Sequence, residues 1–332
     1  MSFLPYLKSV ADEPAATYIE RRIDNLRNAL REHPEDELHL KQQILLYSQV
    51  DEKEDEDEVI GLALELIAID VDKIYACDCF SILARMYAKK DETTKAIECY
   101  RKAIAADPEC DETIMELAAL YENEFDYDAA IAVYDYLDNE CFDDMKECMY
   151  RYKGVCYYNK REYEKALACF QTSLEINSDD TDGTLSENIG ACFLNMQHFT
   201  EAFSWFRKSL ERNPQSADAH YGLGLCYQHT DDGYRAMHHY FEAVKIKPDF
   251  TDAYNNMAAV TINQEGDYKT GIEMLKKAID NCPDKKSLIG VFLNLTRVYN
   301  RLREFTLADY YKAEYIKSVG FDVSFDDDDD DD

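Results

Sequence analysis

The sequence predicts an all-α protein in which pairs of antiparallel helices repeat along the chain. Small and aromatic residues recur in phase every 34 to 36 residues. Each recurrence contains two stretches with the apolar spacing of an amphipathic helix, and a short polar connector such as NKREY at 159–163 separates them. Since one helix pair cannot bury its own apolar face, successive pairs are expected to stack as a solenoid.

Six windows carry the repeat, and they begin at residues 77, 111, 147, 183, 217 and 251. The eighth position of every window holds a small residue: Ala84, Ala118, Gly154, Gly190, Gly224 and Ala258. The twentieth position is also small, with one inserted residue before the last member: Ala96, Ala130, Ala166, Ala202, Ala236 and Gly271. Small side chains at these two positions are expected to let the two helices of a pair approach closely.

Aromatic residues predominate at two further positions of the windows. The eleventh position reads Tyr87, Tyr121, Tyr157, Phe193, Tyr227 and Thr261. The twenty-fourth position reads Tyr100, Tyr134, Phe170, Phe206, Tyr240 and Leu275. These side chains are expected to fill the space between one helix pair and the next. Four windows then end in a proline, which cannot continue a helix: Pro108, Pro214, Pro248 and Pro283.

This pattern resembles the tetratricopeptide repeat (TPR) family, whose unit is a helix–turn–helix of 34 residues. The resemblance covers residues 77–283 and implies a right-handed superhelical solenoid of about sixteen helices. Three departures stand out. Lys153 replaces an apolar residue in the third window, and Phe142 and Ser178 stand where proline is usual. The resemblance implies that the chain bends differently at those two joints.

The sequence outside the six windows is less regular. Residues 17–32 read as one amphipathic helix, and 38–50 and 58–70 read as a divergent pair separated by the acidic run at 51–58. Leu295, Tyr299 and Ala308 are in phase with the repeat, which predicts a degenerate seventh unit. The predicted domains are N-terminal helices at 1–76, six repeats at 77–284, a seventh repeat with a capping helix at 285–320, and a disordered acidic tail at 321–332.

The charge of the chain restricts its partners. There are 68 acidic residues against 36 Lys and Arg, which gives a formal net charge of −32. A nucleic-acid backbone or an anionic membrane would be repelled, so neither is an expected partner, whereas basic proteins would be attracted. The simpler alternative is a solvated surface that keeps the protein soluble. No apolar run is long enough to cross a membrane and the N-terminus is a poor secretion signal, so a cytoplasmic protein is expected.

Motifs that would indicate catalysis or metal binding are missing from the sequence. There is no dinucleotide fingerprint, Walker A, HExxH or GxSxG, so neither an enzyme nor a cofactor is expected. Cys77 and Cys79 form a CxC pair without a second pair at zinc-site spacing. The adjacent His238 and His239 point to different helix faces. SDDTDGTLSE at 178–187 lacks two ligands of a calcium loop and is interpreted as the turn between repeats.

One constellation indicates a binding role. In the TPR family the first helix of each unit lines a concave groove, and the sixth position here reads Asn188, Gly222, Asn256 and Asn294. This is similar to the asparagine ladder with which the O-linked N-acetylglucosamine transferases hold a peptide backbone. An amide can donate to a carbonyl and accept from an N–H at once. The resemblance implies a partner-binding groove formed by Asn188, Asn256, Asn294, Tyr221, Asn255, Arg151 and Arg297. Solvated asparagines that bind nothing are the alternative.

The chain ends in an acidic run: Asp326, Asp327, Asp328, Asp329, Asp330, Asp331 and Asp332. This tail could keep the protein soluble, attract a basic partner, or compete for the protein's own basic groove residues. The expected function is therefore a non-catalytic adaptor or scaffold that binds a peptide or helix of a partner protein. An acidic chaperone or assembly factor for basic proteins is the alternative. The sequence does not determine the oligomeric state.

Overall fold

The computed structural model describes residues 59–61, 63, 64, 67, 76–139, 145–177, 180–282 and 284–319. These residues form helices joined by short turns, and no strand occurs among them. The chain divides into two compact units, Met1–Ile176 and Asn177–Asp332, called unit 1 and unit 2 below.

Unit 1 contains three consecutive helix pairs after residue 75. The helices are α1 (Ala76–Lys89), α2 (Thr93–Ala106), α3 (Asp111–Asn123), α4 (Tyr127–Asn139), α5 (Lys146–Asn159) and α6 (Tyr163–Ile176). Each helix packs on the next one along the chain. Val59 and Ala63, which are also helical, are buried in the same core.

Unit 2 continues the same pattern with four helix pairs. The helices are α7 (Thr184–Asn195), α8 (Phe199–Arg212), α9 (Ala217–His229), α10 (Gly233–Ile246), α11 (Thr251–Glu265), α12 (Tyr268–Asn281), α13 (Ile289–Arg301) and α14 (Phe305–Val319). A short 3₁₀ helix, Lys285–Leu288, precedes α13. Neighbouring helices pack in order, and the first helices of some consecutive pairs also touch, as α11 and α13 do.

The phased small and aromatic residues pack against one another as the sequence predicts. All six residues at the twenty-fourth position are at most 2 % exposed. In unit 2 the ring of Tyr240 fills the space above Gly224, where a Cβ would lie only 2.4 Å from the ring. In unit 1 the ring of Phe170 lies over Gly154 in the same way, at 2.6 Å from such a Cβ. The small residue of the first helix therefore makes room for the ring of the second helix of its pair.

The turn inside most pairs has one recurring backbone geometry. A residue other than glycine adopts a left-handed conformation with φ between 58° and 63°, and these residues are Asp91, Phe125, Arg161, Gln197, Asp231 and Arg303. The following residue closes the turn with a hydrogen bond to a carbonyl of the first helix. The N–H of Glu162 donates to the Tyr157 carbonyl at 2.9 Å, for example. In the pair α11–α12 the left-handed residue is Gly266.

The segment just before α7 forms a turn, in agreement with the interpretation of 178–187 as the turn between repeats. Asp180 is buried, and its carboxylate accepts the backbone N–H groups of Leu185 at 3.0 Å and Ser186 at 2.9 Å. Gly183 adopts φ 75°, and a Cβ there would lie 2.7 Å from the Ser209 carbonyl oxygen. The carboxylate thus satisfies the unpaired N–H groups at the start of the helix.

Of the three departures noted in the sequence, only Lys153 lies among the described residues. Lys153 keeps its charge at an apolar position because its ammonium group lies 2.5 Å from the Asp135 carboxylate. Several predictions concern residues outside the described part of the chain. They are those for 17–32, 38–50, the acidic run 51–58, Phe142, Ser178, Pro283 and the tail 321–332. No helix in the described part of the chain is long and apolar enough to cross a membrane.

Candidate functional site

Most of the predicted groove residues lie on the first helices of consecutive pairs in unit 2. Asn188 lies on α7, Tyr221 on α9, Asn255 and Asn256 on α11, and Asn294 and Arg297 on α13. We call these six residues the first-helix face. Five of them are half-buried and Arg297 is exposed, so each has some contact with solvent.

Two hydrogen bonds join the helices of the first-helix face. The amide nitrogen of Asn256 donates to the Tyr221 hydroxyl at 3.0 Å, which links α11 to α9. The amide nitrogen of Asn294 donates to the Asn255 side-chain oxygen at 3.2 Å, which links α13 to α11. An amide carries two N–H donors and an oxygen with two lone pairs, so one bond each does not exhaust these groups. Three first helices are thereby connected by side chains that can still bind a ligand.

Tyr221 is held in place by aromatic neighbours. Its ring centroid lies 4.9 Å from that of Phe250 and 5.7 Å from that of Tyr240. Burial raises the pKa of Tyr221 to about 12, although the hydrogen bond from Asn256 acts in the opposite direction. The hydroxyl therefore stays neutral near pH 7, where it accepts from Asn256 and keeps its own O–H as a donor.

The interruption of the asparagine series at Gly222 has a packing cause. A Cβ at Gly222 would lie 2.4 Å from the ring of Phe206, which is 2 % exposed. Any side chain at this sixth position would displace that core ring. Asn188 lies beyond the gap, next to Glu187, whose carboxylate accepts the Ser216 hydroxyl at 2.5 Å. Asn188 is thus separated in the series from the linked residues on α9, α11 and α13.

Arg151 does not belong to the first-helix face, since it lies on α5 in unit 1. Its guanidinium forms a forked contact with the Glu147 carboxylate, with Nη2 at 2.7 and 2.9 Å from the two oxygens. Glu147 also accepts the Ser173 hydroxyl at 3.0 Å. The charge of Arg151 is therefore paired with a carboxylate on its own helix, and its predicted role as a groove cation stays a prediction.

The sixth positions in unit 1 hold Ile82, Glu116 and Tyr152 in place of asparagine. Glu116 is 6 % exposed, and its carboxylate lies 3.5 Å from Nε of Arg85. Burial raises the pKa of Glu116, and the Arg85 charge acts in the opposite direction. At one of its three sixth positions unit 1 therefore has an ion pair, where the series in unit 2 has amides.

A histidine pair in unit 2 was not expected from the sequence. His220 on α9 and His239 on α10 approach with their Nδ1 atoms 3.1 Å apart. Burial lowers the pKa of both rings, that of His239 to about 4. His239 also lines a groove of about 340 Å³ with Phe203, Arg207, Leu210, Glu211, Leu223 and Tyr227. The sequence shows only that His238 and His239 are adjacent, whereas the contact joins residues on the two helices of one pair.

A cluster of two thiols and a carboxylate in unit 1 was also missed. One ligand atom each from Cys77, Asp107 and Cys110 lies within 4.8 Å of the others. The cysteines are 33 residues apart, which is about one repeat, so a search for CxxC spacing does not detect them. The signal that could have found them is their place in the repeat, since Cys77 begins the first window and Cys110 directly precedes the second.

Comparisons with known families agree with the repeat. Three family profiles, each described as a tetratricopeptide repeat, match residues 79–110, 149–180 and 193–250. No curated protein matches the chain significantly in sequence.

Two solved structures with TM-scores above 0.5 show the same fold. A tetratricopeptide repeat protein from Parabacteroides merdae matches with a TM-score of 0.60 and 16 % identity, over 74 % of this chain and 94 % of that one. The APC/C hetero-tetramer Cut9–Hcn1 matches with a TM-score of 0.53 and 16 % identity, over 84 % of this chain and 52 % of that one. A TPR repeat-containing protein of Cytophaga hutchinsonii matches with a TM-score of 0.48 and 19 % identity, over 72 % of this chain and 95 % of that one. The matched segments and the phased helix pairs together identify this chain as a tetratricopeptide repeat protein.

Proposed function

We propose that unit 2 binds an extended segment of a partner protein along the first-helix face, and that the protein acts as a non-catalytic scaffold. Tetratricopeptide repeats are typical of protein–protein interaction scaffolds, which supports the general role. The observation that carries the finer proposal is the pair of hydrogen bonds, Asn256 to Tyr221 and Asn294 to Asn255, across three first helices.

These bonds favour recognition of a peptide backbone. They restrict the rotamers of the four side chains before a ligand arrives, which lowers the entropy lost on binding. The groups left over are amide oxygens, amide N–H groups and one hydroxyl, and an extended backbone presents matching donors and acceptors. None of the four side chains carries a charge near neutral pH, so this face reads the backbone and is expected to tolerate different peptide sequences.

The test begins with affinity capture from native lysate at low and high salt, followed by crosslinking and mass spectrometry to find the peptide nearest α11 and α13. A synthetic copy of that peptide is then titrated by fluorescence anisotropy. Asn256→Ala and Asn294→Ala are each expected to weaken binding about tenfold, because each leaves a backbone group of the peptide without its partner.

Asn195→Ala is the matched control, because Asn195 is an exposed asparagine of unit 2 whose amide bonds the Ala191 carbonyl of its own helix at 2.9 Å. Its binding is expected to equal that of the unaltered protein. N-methylation of the central peptide amides is expected to abolish binding. Equal affinity for folded Asn256→Ala, Asn294→Ala and unaltered protein would refute the proposal.

The net charge of −32 favours a second function, that of an acidic chaperone or assembly factor for basic proteins. Interactions of this kind are long-ranged and screened by salt, so they weaken steeply with ionic strength. A version ending at Phe325, which lacks Asp326–Asp332, distinguishes the two functions. Capture of many basic proteins that is lost with salt or with the tail supports the chaperone. Retention of one defined partner at high salt without the tail supports the scaffold.

A further inference from the structure

The residues of the thiol–carboxylate cluster in unit 1 come from three separate helix ends. Cys77 is the second residue of α1, Asp107 directly follows α2, and Cys110 directly precedes α3. Their two Sγ atoms and one carboxylate oxygen lie within 4.8 Å of one another. The ligands of a tetrahedral zinc ion lie about 2.0–2.3 Å from the metal, and therefore roughly 3.5–3.8 Å from each other. A contraction of at most about 1.3 Å would bring the three groups into that geometry.

Buried hydroxyl groups support the two cysteines. The Thr113 hydroxyl lies 3.0 Å from the Cys110 sulfur and 2.8 Å from the Ser81 hydroxyl. Ser81 in turn donates to the Cys77 carbonyl at 2.9 Å. Ser81 and Thr113 are 4 % and 3 % exposed, so this chain of contacts fixes the starts of α1 and α3 relative to each other. Outer contacts of this kind orient the ligands of metal sites.

We propose that Cys77, Asp107 and Cys110 bind a thiophilic divalent cation of the zinc class, with the fourth position open to water or another ligand. Two thiolates and a carboxylate select Zn²⁺ over Mg²⁺ and Ca²⁺, which prefer oxygen ligands. Binding replaces the two thiol protons, which are released to solvent. The cation joins the first helices of two consecutive pairs in unit 1, so the site is independent of the peptide face proposed for unit 2.

The test uses Co²⁺, whose complex with thiolates has a charge-transfer absorption that its complexes with carboxylates lack. Full-length protein, reduced and freed of metal by a chelator, is titrated with Co²⁺ and then with Zn²⁺. We expect one Co²⁺ per chain with a thiolate charge-transfer band, and displacement of that Co²⁺ by Zn²⁺. Cys77→Ser, Cys110→Ser and Asp107→Asn are each expected to weaken Co²⁺ binding by at least about tenfold.

Asp107→Asn keeps the proposal testable if a cysteine variant does not fold, because Asp107 is exposed. Its carboxylate accepts the Glu109 N–H at 3.1 Å, and the amide oxygen of asparagine can accept the same hydrogen bond. Cys148→Ser is the matched control, since Cys148 is another half-buried thiol and belongs to no ligand cluster among the described residues. Its titration is expected to be unchanged.

Two results would overturn the proposal. One is a Co²⁺ complex without the thiolate band, which would place the cation on carboxylates such as those of the acidic tail. The other is a fully reduced protein that binds no Co²⁺ but forms a disulfide between Cys77 and Cys110 on mild oxidation, which would make the pair a redox couple.

Discussion

At Gly224 the lack of a side chain allows α9 and α10 to meet, because a Cβ there would lie 2.4 Å from the Tyr240 ring. Tyr240 is fully buried, and its hydroxyl donates to the Gln228 side chain at 2.6 Å. The ring is thus fixed both by packing and by a hydrogen bond. The gap over Gly190 is less tight, since a Cβ there would lie 3.0 Å from the Phe206 ring.

Gly224→Ala is therefore expected to destabilise unit 2. Overpacking of a fixed ring costs about 1–3 kcal/mol, and the better helix propensity of alanine offsets about 1 kcal/mol of that cost. We expect a net loss of up to about 2 kcal/mol in the free energy of unfolding, measured by urea denaturation. Gly190→Ala, with the looser contact, is the comparison variant and is expected to lose less. Equal effects of the two substitutions would contradict this account of the packing.

The histidine pair makes the stability of unit 2 depend on pH. The pKa of His239 falls to about 4, mainly through burial, with contributions from His220 and His238 against the opposing charge of Glu242. The unfolded chain holds this ring at the ordinary value of about 6.5. Between those two values the unfolded state binds a proton that the folded state does not, so stability decreases as the pH falls from about 6.5 toward 4.

His239→Gln is expected to reduce this pH dependence. The ring is only half-buried, so solvent screening leaves an expected difference of about 1 kcal/mol between pH 7 and pH 5. The measurement is urea unfolding of the variant and of the unaltered protein at the two pH values. Subtracting the pH dependence of one protein from that of the other removes the contribution of the carboxylates, which are the same in both. A pH dependence that stays the same in the variant would show that His239 is already protonated in the folded protein or does not titrate in this range.

At the scale of the elements, the turn inside each pair is the most regular feature. Six residues with a Cβ adopt a left-handed conformation there, with φ between 58° and 63°. A Cβ makes this conformation costly by roughly 1–2 kcal/mol for an ordinary residue, and glycine avoids that cost. Among the helix pairs that the structure describes, this position is therefore under local strain in all but one, and Gly266 relieves the strain there.

Arg161→Gly is expected to stabilise unit 1, because Arg161 is exposed and has φ 62°. Relief of the left-handed strain exceeds the extra entropy that glycine gives the unfolded chain, which leaves a gain of about 0.5–1 kcal/mol. Thermal unfolding followed by circular dichroism measures the gain. Arg161→Ala removes the same side chain but keeps the Cβ, so a similar gain in that variant would attribute the effect to lost charge.

The helices were predictable from the sequence because their information is local and repeated. The window starts at 77, 111, 147, 183, 217 and 251 fall within one residue of the starts of α1, α3, α5, α7, α9 and α11. The face on which Tyr221 and Asn256 lie followed from the same register. Their mutual hydrogen bond did not, because it depends on the distance between two helices separated by a third. The contact between Cys77 and Cys110 also joins elements separated by a helix, and the contact between His220 and His239 depends on the distance between the two helices of one pair.

At the scale of the whole molecule, each unit has a hydrophobic core of its own. The core of unit 1 extends from Val59 to Cys156, and the cores of unit 2 lie between Ala202 and Tyr311. The single tryptophan, Trp205, lies on α8 in unit 2, with the Lys208 ammonium 4.4 Å from its ring centroid. Its fluorescence therefore reports on the folding of unit 2.

The two units are expected to unfold at different urea concentrations. Stability in a repeat protein is a sum of local terms, so a long array does not unfold as one cooperative body. Circular dichroism, which reports on both units, is expected to show a broader or biphasic transition than Trp205 fluorescence. Gly224→Ala is expected to shift the fluorescence midpoint and only part of the dichroism change. Coincident transitions that shift together would show a single cooperative unit.

The recurring turn also bears on how such a chain grows in evolution. Each turn is closed by a hydrogen bond between two residues of the same window, as between Glu162 and Tyr157. The small residue and the aromatic ring that pack on each other also come from one window, as Gly154 and Phe170 do. A duplicated stretch of about 34 residues therefore carries its own turn and its own internal packing. Only the surfaces toward the two neighbours need to match, and in a tandem duplication those surfaces are already copies of each other. Duplication or deletion of a whole window therefore changes the number of repeats and leaves the contacts inside the other windows intact. Loss of part of a window, in contrast, removes one partner from the turn hydrogen bond or from the packing of the small residue on the ring.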